Sequence, residues 1–444
     1  MAKPKLCLIP AAQGSKFYSV LPSSGVGDFT FSRSGSATRI NSQGLIETVG
    51  NGVSRLNYPM IDGIVKGCPH HILEPQRLQQ IQYSEDFSQS YWTKSEVSVN
   101  PNNVISPNGT LNADAIIEST TSNAYHRVLP TTPISGTGGT NYSCSVYVKK
   151  KGDTRHIYWL IQKGADAFYV HIDMTNYVVG DSNSSGSGNL VDASITPVGN
   201  DWYRISINGI VSSVGGDYYN QIYLNKQLGS GFIPTQYTGD GTSGLYLWGW
   251  QLEQGSYPTS YIPNYGTALG ITRSAETATG SGDAATFNDL EGVLMAEISA
   301  LANDADTLRW INLSNGVTSN RVAFYYRPDI NQLTYLITSN GAAQVFSTVT
   351  LSSASSFNKI AAKYKQNDFS LWINGYELIT DTSGNVPVGL NELSFDNAVG
   401  GDNFYGKTKQ IQYYDTALTD SELEQLTSWV SFQDMAQAQL YSIQ

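Results

Sequence analysis

Hydrophobic and polar positions alternate along most of the chain, and the alternation is densest over residues 244–254, GLYLWGWQLEQ. On a strict two-residue period, Leu245 and Leu247 point one way and Tyr246, Trp248, Trp250 and Leu252 the other. A strand apolar on both faces must be covered on both, which places it in the middle of a sheet. Gly249, set between two tryptophans, predicts close approach of another backbone or a large ring. Gly255, Pro258 and Pro263 end the ladder, so residues 257–262 read as a strap leaving across the sheet.

The same alternation recurs from about residue 73 to 263 in ADAIIES, YSCSVYVKK, HIYWLIQ, AFYVHIDM, WYRISINGIV and YNQIYLN, with turn residues between. This series predicts a two-sheet sandwich of the jelly-roll type over residues 76–265. The Gly/Ser tract from Asp181 to Asn189 reads as a surface loop. Residues 1–75 carry little periodicity and read as an extended strap, with two short strands around the turn Asn41 to Gly44. Residues 266–289 are small and polar, as in a linker.

A second antiparallel sandwich is predicted over 290–428, from GVLMAEIS, LRWINLS, RVAFYYR, QLTYLITS, FNKIAAKYK, DFSLWING and QIQYYD. Asn374-Gly375 predicts a tight hairpin. Thr419 with Glu422 forms a capping box, and Leu418 can staple to Leu423, so a helix begins there. Its continuation through the tail 429–444 carries two apolar stripes. Leu423, Leu426 and Val430 would face the sandwich, and Trp429, Phe432, Ala436, Leu440 and Ile443 would face a partner, the alternative being a helix that folds back onto its own domain or frays. The fold class is therefore all-β: two consecutive β-sandwiches with an N-terminal extended segment and a short C-terminal helix.

Composition fits this reading. The chain has 444 residues, 42 glycines and 28 tyrosines, which suits short strands and many turns. Its net charge is -11, yet the first 77 residues hold eight Lys/Arg against four Asp/Glu, about +4, leaving the remainder near -15. An acidic body argues against nucleic-acid binding. The basic end is a candidate for docking on an acidic partner. Three cysteines give no disulfide framework, and Cys144 in YSCSVYV reads as a buried free thiol. No apolar run is long enough to span a membrane. The start has too brief an apolar patch for a secretory signal, which predicts synthesis in a cytoplasm.

Catalytic spacings are mostly missing: there is no H-E-x-x-H, C-x-x-C, G-x-S-x-G or Walker loop. Gly239, Gly241 and Gly244 fit G-x-G-x-x-G, but a strand follows where a dinucleotide site needs a helix. Glu291 and Glu297 are six residues apart on one strand, roughly 20 Å, too far for a glycosidase pair, which leaves only a pair drawn from different strands. No catalytic residue is assigned, and no cofactor is required. A binding face is easier to build. If Ile157, Trp159, Ile161, Phe168, Val170, Ile172, Ile222 and Leu224 form the core, the opposite face gathers Tyr158, Tyr169, His171, Tyr219, Gln221 and Tyr223. Rings that stack on sugar C–H faces, with amide and imidazole groups for hydroxyls, suit a glycan groove. The same tyrosines also suit an inter-subunit contact. Trp92, Trp202 and Trp372 read as core. Asp304, Asp306, Asp396 and Asp402 lie in loops that could hold a structural calcium ion, although their spacing is not that of a defined calcium loop and solvated loop acids are the simpler reading.

Four blocks carry a resemblance: FSRSGSATRINSQGLIE, CPHHILEPQRLQQIQYSEDFSQSYWTK, ITPVGNDWYRISI and LYLWGWQLEQGSYPTSYIP. In order and spacing they resemble a module of tailed-phage virion proteins whose middle part is a carbohydrate-binding jelly roll; the match covers roughly the first 265 residues. Residues 290–428, ending in FYGKTKQIQYYDTALTDSELEQL, are similar to laminin-G and concanavalin A-like lectin sandwiches. The resemblance implies a fibre, appendage or decoration protein on the surface of a phage particle, made in the host cytoplasm. It implies attachment to other virion proteins through the basic N-terminal segment, adhesion to a host-surface glycan, and a homotrimer by analogy with phage fibres. A pure scaffold and a polysaccharide depolymerase are the alternatives.

Overall fold

A computed structural model describes residues 3–14, 16–303 and 308–430. Nearly all regular structure is β, arranged as two sandwiches of antiparallel strands. In the first, a six-stranded sheet faces a seven-stranded one, and their inner faces share a core containing Val146, Trp159, Phe168, Ile222 and Trp250. The strand Gly244–Gln254 is internal, hydrogen-bonded to Leu111–Glu118 and Asn141–Lys151. Its alternation is not the strict one expected. Gly249 has φ 65°, and the register with the neighbouring strand slips there, Ser145 opposing Gln251 and Tyr147 opposing Trp248. This bulge turns Trp250 and Leu252 onto the same side as Leu245 and Leu247, into the core. Tyr246 and Trp248 remain outside, where the strap places Tyr261 against Trp248 and Tyr147.

The second sandwich pairs a five-stranded sheet with an eleven-stranded one. The larger sheet is extended by the N-terminal segment: Leu6–Gln13 lies beside Gly406–Tyr414, followed by Lys16–Leu21 and Phe29–Ser32. Leu6, Leu8, Phe17, Phe29 and Phe31 enter the second core. The expected strap is thus a structural part of the C-terminal sandwich, while its hairpin Ala37–Ile40 and Ile46–Val49 packs on the outer face of the first. The expected linker is also hydrogen-bonded into the fold. Ile271–Arg273 pairs with Arg77–Gln79, and Thr277–Thr279 pairs with Phe29–Ser32.

Other local expectations divide. Asn374 and Gly375 take φ 51° and 90° between paired strands, as the hairpin requires. Most of the Gly/Ser tract is strand rather than loop, Val178–Ser185 turning directly into Asn189–Gly199. Cys144 is buried and free, and Trp92, Trp202 and Trp372 are buried. The helix is Asp420–Thr427, with the Thr419–Glu422 box formed and Leu418 and Leu423 in one cluster. It stops sooner than the apolar stripes suggest, because Ser428 is extended. Val430 is 90% exposed and does not face the sandwich. Phe432, Ala436, Leu440 and Ile443 lie outside the described residues.

A buried ion cluster ties these parts together. Arg55 donates through Nε to Glu276 (2.8 Å) and through Nη2 to Glu74 (2.8 Å) and Glu276. Arg33 reaches Glu276 at 2.7 Å, and Arg273 reaches Glu74 at 2.7 Å. All five side chains are sealed from solvent. Burial alone would raise the Glu74 carboxyl, but Arg273 and Arg55 overcome it and hold it down at about 2. Two of the eight basic residues of the first 77, Arg33 and Arg55, are therefore internal, paired with Glu74 of the same segment and Glu276 of the connection rather than contributing to a free basic surface.

Candidate functional site

The anticipated aromatic face exists, but it is covered. Tyr158, Tyr169, His171, Gln221 and Tyr223 project from the outer side of the seven-stranded sheet on adjacent strands. The rings pack on each other, with Tyr158 5.5 Å from both Tyr169 and Tyr223 between centroids. All five are buried, because the segment after Tyr223's strand folds back over them. Tyr158 donates to the Phe232 carbonyl (2.7 Å), and His171 Nε2 lies 3.0 Å from the Gly231 carbonyl. Asp181 accepts from Gly231 N–H (2.6 Å) and the Tyr169 hydroxyl (2.7 Å), which depresses its pKa. Arg127 donates to both Gln221 and Tyr223 at 2.8 Å. Polar tips that were expected to meet sugar hydroxyls meet the covering segment instead, and an open groove is absent. Tyr219, 44% exposed, stays outside this small core.

An open depression lies elsewhere, between the two sandwiches. Cross-strand neighbours Tyr147, Arg204 and Thr196 form one wall on the outer face of the six-stranded sheet, with Ser206 and Ser194 beside them. His70 and Lys407, from adjacent strands of the C-terminal sandwich, form the opposite wall with Phe357 and Leu301. The N-terminal segment supplies Asn57, Tyr58 and Met60, and the strap supplies Tyr257 and Pro258. The cavity measures 430 Å³, and a further 210 Å³ sharing the Tyr147, Arg204 and Lys407 walls reaches the edge of the ion cluster at Glu74. That size falls within the roughly 300–1,000 Å³ of small-ligand sites.

The polar groups of this cleft are incompletely satisfied. Arg204 Nη2 donates to Ser145 Oγ (2.9 Å) and the Thr259 carbonyl (2.8 Å), while its buried Nε has no partner among the described residues. Its guanidinium lies 5.5 Å from the Tyr147 ring centroid. His70, 2% exposed, has Nε2 3.3 Å from Asn57 Nδ2, and its Nδ1 is unpartnered among the described residues. Burial, reinforced by Lys407 and Lys409, holds His70 neutral. Lys407 is half-buried, burial lowers its pKa against the opposing pull of Glu74, and it makes no ion pair among the described residues. Aromatic surfaces beside unsatisfied donors make the cleft able to hold a polar ring compound. No spacing in the sequence marks it, because its walls come from short segments scattered between Ile40 and Lys407. A smaller depression of 290 Å³ lies on the other side of the strap, lined by Trp248, Tyr261 and Tyr265 with Glu47 and Glu85.

No family model and no curated protein matches the chain. Solved structures similar to parts of it include the NanB sialidase from Streptococcus pneumoniae, with 16% identity, a TM-score of 0.28, and coverage of 32% of this chain and 25% of that one. Another is the Ruminococcus gnavus IT-sialidase CBM40 bound to alpha2,3 sialyllactose, at 17% identity and TM-score 0.28, covering 33% of this chain and 92% of that one. Mouse laminin alpha1 chain, domains LG4-5, matches at 8% identity and TM-score 0.22, over 68% of this chain and 90% of that one. The chain thus takes in a quarter of the sialidase's length. At these identities and scores the likenesses assign neither activity nor ligand.

The remaining candidates are dispersed. Asp304 and Asp306 lie outside the described residues. Asp396 accepts from Ser394 Oγ (2.8 Å) and Ala398 N–H (2.7 Å), and Asp402 accepts from Asn397 Nδ2 (3.2 Å), so both have ordinary loop roles. No metal-type cluster occurs among the described residues. Glu291 pairs with Lys365 at 2.9 Å and Glu297 with Lys409 at 3.3 Å. The Gly239–Gly244 loop places Asp240, which accepts from Arg155 at 2.9 Å, and has no helix behind it.

Proposed function

We propose that this protein is a structural component of a bacteriophage particle that displays a glycan-binding cleft between its two sandwiches. The cleft carries the glycan reading: the part-exposed ring of Tyr58, with the largely covered rings of Tyr147, Tyr257 and Phe357 behind it, lies beside unsatisfied polar groups in a space of 430 Å³, the combination of one stacking surface and hydrogen-bonding groups that suits a sugar ring. The four sequence blocks support the phage reading. Attachment through residues 1–75 rests on that resemblance rather than on charge. Because a single small cleft binds weakly, several copies per particle would supply avidity.

A glycan array probed with the full chain tests the binding. Tyr58→Ala should weaken every positive signal about 3- to 10-fold, the loss of one stacking contact, with an unchanged thermal midpoint. An array without signal would remove the adhesion role and leave a scaffold. Electrophoresis of purified particles should show the chain; its absence would end the virion reading. We read the protein as non-enzymatic, so incubation with host capsule should release no new reducing ends. The trimer proposal is tested by light scattering of the full chain and of a version ending at Ser428: the first should be trimeric and the second smaller.

A further inference from the structure

We infer that the inter-sandwich cleft selects saccharides bearing a carboxylate, with Lys407 and Arg204 as the groups that receive it. The inference rests on the glycan reading above and adds the charge class of the ligand.

Charge in the cleft runs against that of the whole chain, which is -11. Arg39, Arg204 and Lys407 line it, against one carboxylate, Glu74; Arg39 is paired with Glu47 at 3.2 Å, so the charge open to a ligand is that of Arg204 and Lys407. Glu74 is already engaged by Arg55, Arg273 and the Ser260 N–H, so it is not available to neutralise Lys407. Behind it, three buried guanidinium groups face two carboxylates, Glu74 and Glu276, which leaves one further positive charge close to the wall. A half-buried ammonium without a counter-ion is costly to maintain, and an arriving carboxylate would relieve that cost. The buried Arg204 Nε and His70 Nδ1 are unpartnered polar atoms in the same walls. Neutral His70 offers one N–H donor or one acceptor, suited to a sugar hydroxyl beside the acid group. The depression across the strap holds Glu47 and Glu85 and would repel the same ligand.

The test is an array carrying galacturonate-, glucuronate- and sialic-acid-terminated oligosaccharides beside neutral glucose and galactose oligomers, followed by titration of the best ligand and of sodium sulfate. Expected are signals confined to acidic glycans, weaker at higher salt, reduced about 10- to 100-fold by Lys407→Gln and largely kept by Lys407→Arg, with the ligand-free thermal midpoint raised by Lys407→Gln, which removes the unpaired charge, and unchanged in Lys407→Arg. Signals from neutral glycans alone, indifferent to Lys407→Gln, would overturn the acidic reading and leave glycan binding standing. Acidic binding lost in Tyr265→Ala but kept in Lys407→Gln would overturn the site. Sulfate binding with no glycan bound would reduce the cleft to a simple anion site and overturn both readings.

Discussion

Gly249 shows how one residue redirects a whole strand. A Cβ built there would lie 2.9 Å from Tyr147 Cδ2 and 3.2 Å from Tyr261 Cε2, at a backbone φ of 65°. Gly249→Ala should therefore cost about 1–3 kcal/mol, read as a lower denaturant midpoint. The close approach of a ring was legible in the sequence, since glycine between two tryptophans packs poorly otherwise. The change of face was not, because a period-two reading assumes an unbroken register. Buried titratable residues give a second prediction at this scale. Burial pushes His71 down to about 3, and His70 is also well below its usual value. Both contributions are complete above about pH 6.5 and fade as pH falls toward the folded values, because the unfolded chain takes up protons first. Asp114 opposes them: burial raises it to about 6, and the backbone N–H groups of Phe87 and Asn102 only partly offset this. Its penalty is relieved as pH falls from 6 toward the unfolded carboxylate value. Below about pH 4.5 Glu74, with its folded value near 2, adds a further loss. Thermal midpoints should decline gently from pH 6.5 to 4.5 and steeply below, and His71→Phe, which keeps the stacking on Phe17 at 3.8 Å, should flatten the upper part.

Elements with strong local chemistry were read correctly, and those built from weak local chemistry were not. The Asn374-Gly375 hairpin and the Thr419 cap each rest on a few adjacent atoms, so the sequence contains the whole cause. Thr419 N–H donates to Glu422 Oε2 at 3.0 Å, and Glu422 N–H reaches Thr419 Oγ1 at 3.4 Å. Thr419→Ala should cost about 1 kcal/mol, measured by chemical denaturation of the full chain. Thr277–Thr279, by contrast, turns in only Ala278, too little apolar surface to register as a strand; its partner Phe29–Ser32, more than 200 residues away, creates it. The sugar-face tyrosines failed for a related reason. Alternation placed them together on one side of the sheet, but whether that side is wet depends on the segment around Phe232, whose sequence carries no periodic signal. The inter-sandwich cleft was invisible because its walls meet only through tertiary packing.

Arg33, Arg55 and Glu74 come from the N-terminal segment, and Arg273 and Glu276 from the connection between sandwiches. The N-terminal segment also puts Phe17 and Phe31 in the second core and Ile46 against Tyr147 and Trp248 of the first. Two sandwiches joined by a free linker would unfold independently. Here neither can lose its structure without exposing apolar residues of a segment shared with the other and stranding charges that are buried in the folded state. Removing one member of such a cluster leaves unpaired buried charge, at about 3–5 kcal/mol. Glu276 accepts from Arg33, Arg55 and the Glu74 N–H (2.9 Å), so Glu276→Gln is the sharpest probe. Calorimetry of the unmodified chain should show one transition, and Glu276→Gln should lower it or split it in two as the coupling weakens. Two separate transitions in the unmodified chain, only one of them moved by Glu276→Gln, would mean that the cluster stabilises one sandwich alone and that the cleft walls are free to shift relative to each other.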